Sequence, residues 1–114
     1  MSKKAEPKEY SIHKPYVHKM LDISTGHITE KDAMFLRAVD PTSADAPIVK
    51  LYEEGFIVTV SMDKASLDSD LKAWGKVYST QFCKIINLAH AQGCAYVQFD
   101  EDGMIYKDLK LFNW

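Results

Sequence analysis

A chain of 114 residues with 46% hydrophobic content holds enough apolar material for one core and is short for two ordinary domains. Its formal net charge of −2 excludes a nucleic-acid binder that works by neutralising many phosphates across a strongly basic face. No apolar run reaches the roughly eighteen residues that a membrane-spanning helix needs, so a cytoplasmic protein without membrane contact is expected.

Residues 1–14 read as a flexible tail. MSKKAEPKEY is charged, contains proline and offers too little apolar surface to offset the entropy of ordering it. Lys3, Lys4, Lys8, His13, Lys14, His18 and Lys19 make the first twenty residues locally basic, which we read as a solvated leader. Residues 15–114 are then expected to form a single domain. Tyr16 to Ile23 alternates well enough for a strand, which Ser24, Thr25, Gly26 and His27 break. Thr29 and Asp32 have the spacing of a helix N-cap with its reciprocal acid, predicting a short helix from Glu30 to about Val39 that Pro41 stops. After the breaker-rich loop PTSADAP, Ile48 to Tyr52 and Phe56 to Val60 flank Glu53, Glu54 and Gly55, which predicts a β-hairpin bulged at the glycine.

Ser66, Asp68 and Ser69 are each candidate caps for a long helix from Leu71 to Ala91. Its apolar residues Leu71, Trp74, Tyr78, Phe82, Ile85, Ile86 and Ala89 recur at spacings of three and four and cover an arc of about 120°, the width expected of a helix lying on a sheet. Gly75 falls inside that arc, where it would allow close approach to a strand. Gly93 follows as a left-handed helix stop. CAYVQFD then reads as a buried strand, with Ala95, Val97 and Phe99 on one side, running into an acidic turn in which Gly103 takes φ > 0. Met104 to Trp114 supplies either one last strand or a coil that packs Leu109, Leu111 and Phe112. The expected fold is α/β (α+β): a small two-layer domain whose four- to five-stranded, mixed or mainly antiparallel sheet is packed by one long helix and one short helix. Trp74, Tyr78, Phe82 and Ile85 are expected against Val58 and Val97.

The candidate sites are few. Ser24, Thr25, Gly26 and His27 lie where a strand meets a helix, and backbone N–H groups there can hold an anion or small ligand. The same residue types also serve such a turn for purely local reasons. Asp100 and Asp102 form a candidate acidic turn, without the ligand ladder of a calcium loop. A Cys94 and His27 dyad is the minimum for thiol chemistry, but Cys94 opens a buried strand, and Cys83 and Cys94 read as free thiols. The four histidines show no paired metal spacing, so no catalytic group, metal or cofactor is expected. Tyr52, Tyr96 and Tyr106 are the candidate interface, because one long helix covers only one face of the sheet and tyrosine suits the other as an association surface. A fold-back of Tyr16 and the N-terminal segment over that face is the alternative.

STGHIT after the first strand, GFIVTV, and GCAYVQFDEDG with the closing FNW resemble the bacterial domain of unknown function family 5983, over most of the chain from Asp22 onward. Similar proteins carry an STGH or STAH element, a GC-x-Y/W-x-x-F/L-D-x-DG stretch, and an aspartate or asparagine before a terminal tryptophan. Met104 stands where that pattern has proline after DG, and Asn113 where it has aspartate. The resemblance implies a genomic setting on plasmids, integrated elements and phages, near antirestriction and toxin–antitoxin genes, and implies no particular activity. The resulting expectation is a non-enzymatic accessory protein of a mobile genetic element that binds a host or defence protein, or itself as a homodimer, and inhibits a host defence system. The alternative is a small-ligand or anion-binding protein, or minor enzyme, that uses the Ser24–His27 loop with the Asp100–Gly103 turn. Those two loops meet only if their strands are adjacent and parallel.

Overall fold

The computed structural model describes residues 9–114, so most of the tail expected over 1–14 lies outside the described residues. Residues 9–18 form no helix or strand and are exposed, Tyr16 included, which leaves that tyrosine edge-on to Tyr10 and not over the sheet. The chain then runs β1 (Lys19–Ser24), a 3-10 turn (Thr25–His27), α1 (Glu30–Arg37), β2 (Val49–Tyr52), β3 (Gly55–Thr59), α2 (Lys64–Trp74), α3 (Thr80–Ala91) and β4 (Cys94–Asp100). The strands form one mixed sheet in the order β1-β4-β3-β2, with β1 parallel to β4 and the other neighbours antiparallel. This is the expected α+β sheet with four strands, because Met104 to Trp114 crosses the molecule without joining it.

The first strand starts and ends later than its alternation suggested, since only from Lys19 onward does it pair with β4. On one face of the sheet Leu21, Ile23, Phe56, Val58, Val97 and Phe99 pack with α1, α2 and α3 in a single core. Met20, Asp22, Lys50, Tyr52, Ile57, Tyr96 and Gln98 alternate onto the other face, and none of them joins that core. Expected contacts hold on the covered side: Trp74, Tyr78, Phe82 and Ile85 are buried in the same cluster as Val58 and Val97. Phe82 stacks on both Tyr78 and Phe99, at centroid distances of 4.7 and 5.8 Å.

The predicted long helix is two helices. Gly75 caps α2, Tyr78 bonds back to Trp74, and Ser79 starts α3 by accepting from the Phe82 N–H. An internal N-cap satisfies amides that a continuous helix would use otherwise, so the same apolar spacing spans a broken backbone. Gly75 is therefore a helix end and not a point of approach to a strand. The cap of α2 is Asp63, upstream of Ser66, Asp68 and Ser69; its carboxylate accepts from the Ser66 N–H and hydroxyl.

Two glycines are required by close backbone approach and not by their own turn geometry. Gly55 pairs with Tyr52 in the ladder without a bulge, and a Cβ there would lie 1.9 Å from the Phe99 carbonyl oxygen. Gly103 has an ordinary φ, and its hydrogen is required because the turn presses against β1, where a Cβ would meet the Ile23 carbonyl oxygen at 2.4 Å. Only Gly93, at φ 77°, takes the left-handed helix stop. We expect Gly55→Ala to cost about 3 kcal/mol through backbone overpacking and Gly93→Ala about 1–2 kcal/mol through φ strain alone. Chemical denaturation that reverses this order contradicts the packing described.

Candidate functional site

Parallel pairing places Ser24 beside Asp100, so the turns that follow β1 and β4 leave the sheet together. The Ser24–His27 loop and the Asp100–Gly103 turn are thus neighbours, as the ligand-binding alternative requires. Antiparallel pairing of β3 with β4 sets Gly55 opposite Asp100, which adds the Glu53–Glu54 hairpin turn to the same end, and the Glu101 N–H bonds the Glu54 carbonyl.

Most polar groups of the Ser24–His27 loop are engaged within the chain. Ser24 Oγ accepts from the Gly26 N–H at 3.0 Å, the Ser24 N–H bonds the Met104 carbonyl, and the Gly26 carbonyl accepts from Phe112. His27 is fully buried. Its Nε2 accepts from the Tyr106 N–H at 2.8 Å, so Nδ1 carries the proton and donates to the Lys110 carbonyl at 2.8 Å. Gln81 of α3 donates to the His27 and Lys110 carbonyls and accepts from the Lys110 N–H. Trp114 Nε1 bonds the Ile28 carbonyl. The loop therefore fastens the C-terminal segment, and Thr25 is left facing a cleft.

Asp100 uses one oxygen on the Tyr52 hydroxyl at 2.6 Å and the other on the Asp102 N–H at 2.8 Å. These hydrogen bonds, Tyr52 first, hold its carboxyl below the ordinary carboxylate range. Tyr52 is pushed up to about 12, by burial first and then by Asp100, while Gln98 donates to the same phenol oxygen. Tyr52 and Tyr96 share the uncovered sheet face, with Tyr96 edge-on to His18. Tyr106 stands apart from them at the β1 edge, where its hydroxyl donates to the Asp22 carbonyl.

Cys94 begins β4 beside Lys19, at the far end of the strand from His27, so no dyad forms. Burial, and next Asp32, push the Cys83 thiol up. Among the described residues no three His, Cys, Asp or Glu side chains converge as metal ligands. No helix among them is long and apolar enough to cross a membrane.

Two concavities adjoin these loops. A groove of 780 Å³ runs along the β1 edge, walled by Leu21, Ile23, Ile85, Leu88, Tyr106 and Leu109. A cleft of 250 Å³ sits between the two turns, with Thr25, Arg37, Glu101, Phe112 and Trp114 on its walls. Sequence reading missed the groove residues on α3, and it missed Arg37, whose place follows from where α1 ends. It also missed Asp32 as a joint: this buried carboxylate caps α1 through Thr29 and accepts from the Ser79 N–H and hydroxyl at 2.8 and 2.5 Å. The Thr29–Asp32 spacing was the available signal.

Because Tyr52 is the main cause of the low Asp100 titration, Tyr52→Phe is expected to move the Asp100 carboxyl resonance midpoint up toward the ordinary carboxylate range. In the wild type the stabilisation from this pair is present above that range and fades as pH falls through the Asp100 midpoint. An unchanged midpoint in the variant contradicts the assignment.

Comparisons with curated proteins and with solved structures return no match. A match to the family of unknown function (DUF5983) C-terminal domain covers residues 20–114, from the second residue of β1 to the final tryptophan. The chain belongs to that family.

Proposed function

We propose that this chain is a non-enzymatic accessory protein of a mobile genetic element that acts in the cytoplasm by binding another protein, and that the bound protein serves host defence. The setting rests on the company kept by proteins that share its STGH and GC-x-Y-x-x-F-D-x-DG elements. The binding rests on one observation, the groove along the β1 edge.

Among the described residues β1 pairs on one side only, with β4. The Asp22 carbonyl and the Ser24 N–H point away from β4 and are taken by the Tyr106 hydroxyl and the Met104 carbonyl, which puts the even-numbered backbone groups of β1 on the outer edge and leaves the Asp22 N–H open to an added strand. Such an edge is a template for an added strand. Below it Leu21 is half-buried and Leu88 of α3 is exposed, so a strand laid along β1 would set alternate side chains on an apolar floor. Backbone pairing supplies affinity in that mode, and the floor supplies selectivity. Tyr96, paired beside Met20, extends this surface onto the uncovered face, on which Tyr52 lies at the opposite edge strand.

Leu88→Glu puts a charge on the floor, and Asp22→Pro removes an edge N–H at a position where the sheet tolerates proline. Quantitative capture from cells carrying the element is expected to recover a protein partner with the wild type and at least about tenfold less with either variant. Equal recovery by all three, or light scattering that shows only a self-dimer unaffected by both substitutions, contradicts the reading.

A further inference from the structure

The cleft between the two turns carries chemistry that strand addition does not use. Arg37, in the last turn of α1, lies with its Cζ 4.6 Å over the buried ring of Phe56. This contact holds the exposed guanidinium beside the ring and leaves its N–H groups open to a ligand. Among the described residues the one ion pair is Lys64–Asp68, and the Arg37 guanidinium makes no hydrogen bond. Glu101 shares the cleft with Arg37, yet the two are not in contact as a pair. Beside them stand the Thr25 hydroxyl and the half-exposed indole of Trp114, whose Nε1 is tied to Ile28.

A cation and a separate anion, both exposed, line one concavity of 250 Å³, which suits a ligand carrying both charges better than a simple anion or a simple cation. An anion alone would sit near the Glu101 carboxylate, and a cation alone near Arg37, each at a Coulomb cost. A small zwitterion places its carboxylate on Arg37 and its ammonium on Glu101, and satisfies both. The indole then favours a flat apolar group on the same molecule, while the Phe112 ring beside it carries the Lys110 ammonium 5.0 Å from its centroid. We infer that this cleft is a binding site for a free amino acid with an aromatic side chain, held by its carboxylate on Arg37, its ammonium on Glu101 and its ring against Trp114. The site is independent of the β1 groove: Arg37, Glu101 and Trp114 do not border that groove.

Phenylalanine, which does not absorb at the excitation wavelength of tryptophan, is titrated into the full chain while tryptophan emission is followed, with Trp74 buried away from the cleft and Trp114 on its wall, and with calorimetry in parallel. A saturable response is expected, together with its absence for phenylalanine amide and N-acetylphenylalanine, which each lack one charge. Arg37→Gln and Glu101→Gln are each expected to weaken binding about tenfold or more, the loss that follows removal of a charged hydrogen bond. A linear response, binding of either blocked analogue as tight as that of phenylalanine, or undiminished binding by either variant overturns the inference. The analogue comparison uses the wild-type chain, so it decides the matter even if a substitution disturbs folding.

Discussion

His27 carries the surface that both concavities depend on. Residues 104–114 contain no helix or strand, so no regular ladder holds them in place, and among the described residues their backbone pairs with that of the rest of the chain only at Met104 with Ser24 and Phe112 with Gly26. They are held instead by hydrogen bonds, and the buried His27 ring supplies two, one to Tyr106 and one to Lys110. Each such bond contributes about 1 kcal/mol net, but a buried ring nitrogen left without its partner costs more, so the two bonds persist together. One wall of the β1 groove is Tyr106 and Leu109, and one wall of the cleft is Phe112 and Trp114. A ring that orders residues 106–110 therefore shapes both.

A second buried polar group orders the covered side. Asp32 joins the N-termini of α1 and α3 through Thr29 and Ser79, and a carboxylate at two helix N-termini is stabilised by both sets of amides. This joint fixes the start of α3, whose Phe82 stacks on Phe99. Through β4 it also positions the acidic turn, because α3 delivers the chain into that strand by way of Gly93.

Local patterns were legible wherever the physics is local. The Thr29–Asp32 capping box, the glycine stop at Gly93 and the alternation of Ala95, Val97 and Phe99 depend on a few neighbouring residues and appear as read. The helix break at Gly75–Ser79 was hidden because Trp74, Tyr78 and Phe82 keep their apolar spacing across it and still share one aromatic cluster. Gly55 and Gly103 are glycines because of another strand's carbonyl, a contact that no local pattern encodes. For the same reason the loop and the turn could be named as candidates, but their adjacency, and the recruitment of Gln81, Arg37 and Leu88 from helices, followed only from the parallel pairing of β1 with β4. His27 was singled out as a ligand-loop residue, and the structure gives both its nitrogens to the backbone of the C-terminal segment.

The central claim, that one neutral imidazole clasps the C-terminal segment, is tested most directly by long-range proton–nitrogen correlation spectroscopy of His27. The account predicts a single tautomer, with the proton on Nδ1 and a bare Nε2, and a scalar coupling across the hydrogen bond from the Tyr106 amide to Nε2. A protonated Nε2, or signals averaged between the two tautomers, would contradict it.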